Sequence, residues 1–233
     1  MTVLSPRELA AHYRQAPCLF LDCDGVIFDS NAFKLRACLA VLAEYPEPAV
    51  AEMARFWSAN GGMSRQRKFD HFFRDLHPVT DVAAHVSAAV ERFGTLSRAA
   101  FVDTTPIPEA LLVARDAGPE RSFVVSGADQ AELRDIFAEK GLNRLFPAVF
   151  GSPTAKLDHV ARILQERNCP AERALFVGDG GGDFEVSQRL GLPFVFLAQY
   201  SDWDGAREAL AGAEQAIGVD TWTDLLALLH VGA

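Results

Sequence analysis

The sequence predicts an α/β fold, a doubly wound parallel sheet into which an all-helical region is inserted. Three observations predict it. An apolar run at residues 18–21 lies near the beginning of the chain, and short apolar runs alternate with helical patterns from residue 106 onward. Residues 31–104, between them, contain no run of this kind. Such alternation is typical of a parallel sheet covered by helices on both faces, so we expect a Rossmann-like core.

The first element is a helix that begins after Ser5 and ends near Gln15. Ser5 is a good N-cap, Pro6 suits the first helical position, and Glu8 completes a capping box. A short buried strand follows at residues 18–21. Because this strand ends in a turn signal, the residues after it are expected to emerge at the carboxyl edge of the sheet.

The inserted region is predicted to be helical, because it is rich in Ala, Leu, Phe, Arg and Glu. A Gly61-Gly62 pair breaks it near the middle. We expect a core domain formed by residues 1–30 and 105–233, and a cap domain formed by residues 31–104. The predicted cap helices span residues 33–44, 50–59, 65–75 and 82–96.

The rest of the core is predicted to alternate between helices and strands. Gly118, Gly141 and Gly191 stand where helices are expected to end, and Thr221 suits the N-cap of the closing helix. Helices are predicted at residues 108–117, 130–140, 155–167, 184–190 and 221–229, and strands at residues 122–125, 148–150, 174–177 and 194–197.

Composition limits the classes of partner. The chain carries 31 acidic and 22 basic residues, for a net charge of -9. This charge disfavours nucleic acids and anionic membranes, so we expect neither as a partner and a small molecule as ligand. No run is long enough to span a membrane, and the four cysteines form neither a CxxC pair nor a disulfide framework. These features predict a cytoplasmic protein and leave its oligomeric state, monomer or dimer, open.

Two aspartates, Asp22 and Asp24, directly follow the first strand and precede Gly25. Alternation along extended backbone points both side chains the same way. Two carboxylates held together in a partly desolvated position are costly unless a cation or a shared proton stabilises them. The pair therefore indicates chemistry rather than packing. Cys23, between them, points to the opposite face and is predicted to pack in the core.

Three more polar features follow later predicted strands, at the same edge of the sheet. They are Ser126 with Gly127, then Lys156, and then Asp179 and Asp183 around a run of glycines. Together with the first pair they supply carboxylates for a hard metal ion, a hydroxyl and backbone amides for phosphate oxygens, and one fixed positive charge. This set of groups suits phosphoryl transfer.

In the order and placement of these motifs the chain resembles the haloacid dehalogenase superfamily, in the phosphatase branch with a helical cap after the first motif, as in phosphoglycolate phosphatases and β-phosphoglucomutases. The resemblance implies that Asp22 is the nucleophile that attacks phosphorus and forms an aspartyl-phosphate. It implies that Asp24 first protonates the leaving alcohol and then activates water. Ser126 would hydrogen-bond the phosphoryl group, and Lys156 would neutralise charge between that group and Asp22.

The same resemblance implies Mg²⁺ as the cofactor. Its ligands would be the Asp22 carboxylate, the Asp24 backbone carbonyl and Asp179, with Asp183 as a further ligand or as support for one. A divalent cation and a lysine together offset the repulsion between a carboxylate and a phosphate dianion. The chain departs from the family pattern at the glycines of 180–182, where Ser or Thr is frequent, and at Leu157, where proline is frequent.

The Gly61-Gly62 segment and the helix after it form the predicted specificity segment. Arg65 and Lys68 are candidates to bind an anionic or hydroxyl-rich leaving group, and Gly127 after the second strand is a further candidate to bind substrate. The alternative is an ordinary basic surface turn. If the segment binds substrate, Arg65→Ala is expected to raise KM more than it lowers kcat.

Two further groups of residues receive opposite predictions. Asn31 and Lys34 follow the first motif and are candidates to face the cleft. Phe69, Phe72 and Phe73 recur at helical spacing and are predicted to form the core of the cap rather than a substrate slot.

The leading functional hypothesis is a Mg²⁺-dependent phosphomonoester hydrolase that acts on a small phosphorylated metabolite. One alternative is a phosphomutase, which would use the same aspartyl-phosphate and return the group to a sugar. Dehalogenation is disfavoured, because Asp24 supplies an acid that a departing halide does not require. Another class is a noncatalytic phosphate-binding regulatory module, and the complete set of catalytic groups argues against it.

Overall fold

The computed structural model describes residues 5–213 and 215–230, and its strands form one six-stranded sheet. The strands are β1 (Leu19–Leu21), β2 (Ser122–Asp129), β3 (Ala148–Ser152), β4 (Leu175–Gly178), β5 (Phe194–Leu197) and β6 (Ala216–Val219). All neighbours pair in parallel, in the order β3-β2-β1-β4-β5-β6. The strand order reverses direction at β1, as in doubly wound folds. The predicted fold class is therefore confirmed.

Helices cover both faces of the sheet and make up the inserted region. Helix α1 begins as predicted, because the Ser5 hydroxyl accepts a hydrogen bond from the Glu8 amide and the Glu8 carboxylate accepts one from the Ser5 amide. The helices are α1 (Pro6–Gln15), α2 (Asn31–Val41), α3 (Glu47–Ala59), α4 (Arg65–His71), α5 (Val82–Asp103), α6 (Pro108–Ala117), α7 (Gln130–Glu139), α8 (Lys156–Glu166), α9 (Gly181–Leu190), α10 (Ala206–Ala211) and α11 (Trp222–Leu229).

The central strand β1 divides its side chains between two hydrophobic clusters. Leu19 and Leu21 pack into the cluster on one face of the sheet, and Phe20 packs into the cluster on the other. The Phe20 ring lies between those of Phe123 and Phe176, with ring centroids 5.7 Å and 6.0 Å away. Because the sheet is apolar on both faces, β1 is held rigidly where it delivers the polar residues that follow it.

The inserted helices have a hydrophobic cluster of their own. Trp57, Phe69 and Phe93 meet in it, with the Phe93 ring centroid 5.2 Å from that of Trp57 and 5.9 Å from that of Phe69. Phe72 and Phe73 are also buried there, in a π-helical turn that extends α4. The prediction that the three phenylalanines after Arg67 form a core is confirmed.

Helix α5 is longer than predicted, since it continues from residue 96 to Asp103. Phe93, Ser97 and Phe101 stand four residues apart and are all buried, so one packed face continues past the expected end. Gly94 within it does not end the helix. No helix in the described ranges, α5 with its 22 residues included, combines the length and apolar character needed to cross a membrane.

Two elements near the end of the core and one strand end differ from the prediction. Strand β6 and helix α10 were not predicted, because Gly218 interrupts the strand pattern and α10 has only 6 residues. Strand β2 was predicted to stop at Val125 and continues to Asp129. Its pairing with β3 shifts register between these two residues. Ser126 therefore lies inside an irregular strand end rather than in a loop after it.

Candidate active site

Asp22 stands at the carboxyl edge of the sheet, at the point where strand order reverses. Its amide donates a hydrogen bond of 3.0 Å to the Val177 carbonyl, so it continues the pairing of β1 with β4. The side chain is 3% exposed, and its Oδ1 accepts a 2.7 Å hydrogen bond from the Cys23 amide. Cys23 itself is buried in the core, as predicted. Ligands of open α/β sheets bind at this position.

Three buried carboxylates meet at this edge. Oxygens of Asp22, Asp179 and Asp183 all lie within 4.8 Å of one another. Burial and the charge of Asp183 raise the pKa of Asp22 to about 8. Burial and the charge of Asp22 raise the pKa of Asp179 well above its usual range. The cluster therefore carries more negative charge than its surroundings balance.

Lys156 is the cation on the side of this cluster that faces α8. Its ammonium lies 3.0 Å from Asp22 Oδ1 and also forms a close ion pair with Asp183. Burial disfavours its charge, but the two aspartates outweigh that effect and raise the pKa of Lys156. The lysine is therefore charged, and it offsets one of the three carboxylates.

Asp179 is held by hydrogen bonds from two other segments, and a third leaves room for it. Asn31 donates a 2.7 Å hydrogen bond to Asp179 Oδ2 and another of 2.8 Å to the Tyr200 carbonyl. Ser201 donates to the Asp179 carbonyl. Gly25 has a φ of 74°, and a Cβ there would lie 2.0 Å from Asp179 Oδ2. The positive φ and the close approach of Asp179 both require glycine at this position, directly after the two aspartates.

The cluster fits a hard divalent cation. Three carboxylates and one lysine leave a net negative charge in a buried place, and carboxylate oxygens are the ligands that Mg²⁺ prefers. Burial and the charge of Asp183 raise the pKa of Asp22, and a bound cation would be the counter-charge that the buried cluster lacks. Asp22, Asp179 and Asp183 are the side chains able to hold it.

Asp24 points away from this cluster, toward α2. Its Oδ1 lies 2.5 Å from the Lys34 ammonium and accepts a hydrogen bond from the Ser30 hydroxyl. Burial opposes the charged form of Asp24, but Lys34 and Ser30 outweigh it and lower its pKa. Asp24 is thus ionised in this arrangement. Of its groups, only the backbone carbonyl remains a candidate to join the three carboxylates.

Ser126 and Gly127 occupy different positions relative to the cleft. Ser126 is buried, its Oγ accepts a 3.1 Å hydrogen bond from the Ala128 amide, and it is not among the residues that line the cleft. Gly127 lines the cleft beside Ala128. The irregular end of β2 therefore presents backbone at the cleft wall.

Glycines from the inserted region and from the core meet face to face. A Cβ at Gly127 would lie 2.1 Å from the Gly62 carbonyl oxygen, and one at Gly182 would lie 2.6 Å from the Gly61 carbonyl oxygen. The two segments therefore touch backbone to backbone, beside Lys156. This contact gives a physical reason for the glycines at 180–182, where the family pattern often has larger residues.

Arg65 and Lys68, the two predicted cap residues, both line the cleft but differ in their partners. Arg65 forms a 2.6 Å ion pair with Glu132 of α7, so its charge is neutralised across the cleft. Lys68 is 5% exposed, and its ammonium donates a 3.1 Å hydrogen bond to the Trp57 carbonyl and lies 4.2 Å from the centroid of the Trp57 ring. Burial lowers the pKa of Lys68 to about 8.

Several residues of the site, two of which line the cleft, escaped the sequence interpretation. Ser30 and Glu132 both resemble ordinary residues at helix starts, and Ser97 lies beyond the predicted end of its helix. Asn31 and Lys34, in contrast, reach the site as their position suggested. The missed residues share one property: nothing in their local sequence distinguishes them from caps or solvent-facing polar groups.

The matched family agrees with this geometry. The family model for haloacid dehalogenase-like hydrolases matches residues 19–197, which include all the motifs at the sheet edge. The chain belongs to this family. The resemblance stated from the motifs is thereby confirmed, and so is the assignment as an enzyme of this type.

Two proteins similar to this chain are described as phosphoglycolate phosphatases. A phosphoglycolate phosphatase from Pseudomonas savastanoi pv. phaseolicola is 26% identical over 187 residues, which cover 77% of this chain and 68% of that protein. A predicted phosphoglycolate phosphatase from Haemophilus somnus 129pt has 17% identity and a TM-score of 0.68, covering 92% of this chain and 98% of that one. CbbY from Rhodobacter sphaeroides, solved in complex with phosphate, has 19% identity and a TM-score of 0.66, covering 92% and 99%. The two solved structures share the fold of this chain.

Proposed function

We propose that this protein is a Mg²⁺-dependent phosphomonoester hydrolase that acts on a small phosphorylated metabolite through an aspartyl-phosphate. The observation that carries the proposal is the position of Asp22. Its carboxylate lies between a charged lysine and two further carboxylates, at the edge of the sheet where ligands of this fold bind.

Asp22 is proposed as the nucleophile. Its carboxylate oxygen forms a bond to phosphorus as the bond from phosphorus to the alcohol oxygen breaks, and the alcohol leaves with a proton from Asp24. Lys156, 3.0 Å from Asp22 Oδ1, lowers the repulsion between the carboxylate and the phosphate. Mg²⁺ held by Asp22, Asp179 and Asp183 would supply further positive charge to the phosphoryl oxygens.

Asp24 is proposed as the acid and then the base. The ionised state that Lys34 and Ser30 favour is the state that accepts a proton from water when the aspartyl-phosphate is hydrolysed. To act as the acid, Asp24 must release Lys34, take up a proton from solvent and then face the oxygen of the leaving group. The contact with Lys34 is therefore the one that we expect to break when substrate binds.

The boundaries of the cap are part of the proposal. Residues 1–30 and 105–233 would form the core domain, and residues 31–104 the cap. Its separate hydrophobic cluster supports this division. Contact between the glycines of the two parts supports a closed cleft during the first half of the reaction, from which bulk water is excluded. Gly127 and Ser126 would bind the phosphoryl group through backbone and hydroxyl, and Arg65 and Lys68 would face the alcohol.

The wider setting is proposed on the same basis. The four cysteines are free and buried, which supports a reducing cytoplasm. The relative from Pseudomonas savastanoi is a phosphoglycolate phosphatase, so phosphoglycolate is the first substrate to assay. No observation favours the phosphomutase or the noncatalytic module over the hydrolase.

The decisive experiment is phosphate release from a panel of phosphomonoesters by the purified protein. We expect turnover with Mg²⁺ and none with a chelator in its place. The variant Asp22→Asn is expected to bind phosphoesters without releasing phosphate. Release of phosphate by that variant, or an isomerised product that depends on a bisphosphate activator, would contradict the proposal.

A further inference from the structure

A second space adjoins the cleft at the contact between the glycines. This groove has a volume of about 390 Å³, against about 80 Å³ for the cleft, and residues near the starts of α4, α8 and α9 line it. Four residues line both spaces, and three of them are glycines: Gly61, Gly62, Met63 and Gly127. One layer of chain, mostly without side chains, therefore separates the groove from the cleft.

Lys156 connects the groove with the carboxylate cluster. Its ammonium lies 3.0 Å from Asp22 Oδ1, and the residue is among those that line the groove and not among those that line the cleft. A Cβ at Gly62 would lie 3.5 Å from the same ammonium, so the thin layer of chain lies against the lysine. A phosphoryl group on Asp22 would therefore stand beside a cation that borders the groove.

The two spaces differ in the balance of their charged side chains. Among the described residues, five carboxyl groups and three cations line the cleft, so a divalent metal ion would only balance its charge. Three cations and two carboxylates line the groove, with Lys156 at its buried end and Arg67 exposed to solvent. An anion is therefore attracted more strongly to the groove than to the cleft.

We propose that the groove is the exit site for inorganic phosphate, the second product. This inference rests on the proposed phosphatase function and assigns a separate site to the product that carries the phosphoryl group. The alcohol would leave along the cleft. After hydrolysis of the aspartyl-phosphate, the phosphate ion would pass the Gly61-Gly62 layer and enter the groove beside Lys156.

The sizes of the two spaces support a separate exit. At about 10–15 Å³ for each water, the 80 Å³ of the cleft hold roughly five to eight water-sized groups. A departing phosphate and the next substrate do not fit there together. The 390 Å³ of the groove have room for a phosphate ion and the water around it. With this second route, phosphate leaves without crossing the space that the ester enters.

The first test blocks the groove from the core side. Thr154→Trp places a large side chain in it at an exposed position. The ratio kcat/KM reports the steps up to departure of the alcohol, whereas kcat also includes release of phosphate. We therefore expect kcat to fall about 10-fold, because product release becomes limiting, while kcat/KM stays within about 2-fold of the wild type. Thr80→Trp, at an exposed threonine outside both spaces, should change neither value.

Exchange of oxygen with solvent separates slow release from slow chemistry. In water labelled with a heavy oxygen isotope, one labelled oxygen enters each phosphate as water attacks the aspartyl-phosphate. A phosphate that is kept at the site can re-form the aspartyl-phosphate, lose an oxygen as water and be hydrolysed again. Thr154→Trp is therefore expected to release phosphate that contains more labelled oxygens than wild-type product, as measured by mass spectrometry.

Arg67→Glu tests the charge of the same route. A negative charge at the exposed end of the groove should slow departure of the phosphate dianion, with kcat about 5-fold lower, more labelled oxygens and an unchanged kcat/KM. Arg36→Glu, at an exposed arginine of α2 outside both spaces, changes the net charge equally and is the control. An equal loss of kcat in both variants would contradict a local role of Arg67.

Two results would overturn the exit site. One is wild-type kcat and wild-type labelling in a Thr154→Trp variant that thermal melting shows to be folded. The other is a fall in kcat/KM as large as that in kcat, since it would assign the groove to substrate entry. If Thr154→Trp does not fold, the labelling in Arg67→Glu decides. Failure of the hydrolase proposal would appear instead in the wild-type protein, as no phosphate release or as phosphate without oxygen from water.

Discussion

The two walls of the cleft have opposite charge imbalances. The core wall has three buried carboxylates and one lysine, so it lacks positive charge. On the wall built by the inserted helices, Lys68 forms no ion pair and the Ser97 hydroxyl has no hydrogen-bond partner among residues 5–213 and 215–230, so this wall is not short of positive charge. The difference indicates how the ligand is oriented. In the proposed function a metal ion and the phosphoryl group would complete the core wall, and the leaving group would lie against the other wall.

Removing the nucleophile should have the largest effect on the core wall. Asp22→Asn is expected to lower kcat by about 10⁴-fold or more, as loss of a nucleophile does in other enzymes. Folding should survive, because the change removes one of three carboxylates that repel each other. Phosphate release and thermal melting measure the two effects. Asp158→Asn, an exposed aspartate on α8, is the matched control, and equal activity in both variants would contradict the assignment.

The contact between the walls is the next target. In Gly127→Ala the new Cβ would lie 2.1 Å from the Gly62 carbonyl oxygen, and backbone cannot move aside as a side chain can. The walls are expected to separate by about 1 Å, with a loss of about 10- to 100-fold in kcat/KM. Gly212→Ala is the control, since a Cβ there meets nothing within 4 Å. Full activity in Gly127→Ala would show that catalysis does not need this contact.

The charge deficit of the core wall should make stability depend on pH. Burial and Asp183 raise the pKa of Asp22 from 3.8 to about 8. The folded protein then binds more protons than the unfolded chain between these values, so stability is lost as pH rises through this window. Without metal, Tm is expected to fall by about 5 °C or more between about pH 5 and pH 8.

The same series of Tm values against pH should also be measured with saturating Mg²⁺. A cation at the carboxylates should flatten the dependence of Tm on pH, and Asp22→Asn should reduce it in the chelated protein. A Tm that rises over the same range in chelator, or one that is unaffected by Mg²⁺, would contradict the proposed metal site.

The same contrast explains what the sequence could predict. Asp22, Lys156 and Asp179 each follow an apolar strand, and parallel strands bring their carboxyl ends to one edge, so short-range patterns suffice to bring them together. Ser97 and Glu132 depend on how the inserted helices lie against the core. That placement is determined by side-chain packing between distant segments, which periodicity does not report. The sequence therefore predicted the individual residues of the core wall. For the opposite wall it predicted only the segment that contributes to it.

The smallest expected effect concerns Arg65, which joins the two walls. Arg65→Ala leaves Glu132 unpaired on the cleft, where its charge opposes an anionic substrate. KM is expected to rise about 5- to 10-fold, with a smaller change in kcat, because a half-buried charge pair has lost one partner. Adding Glu132→Gln to Arg65→Ala tests the cause. If Arg65 acts through Glu132, the double variant should recover most of the lost affinity; if it contacts substrate directly, KM should stay high. An unchanged KM in Arg65→Ala alone would remove the start of α4 from the binding site.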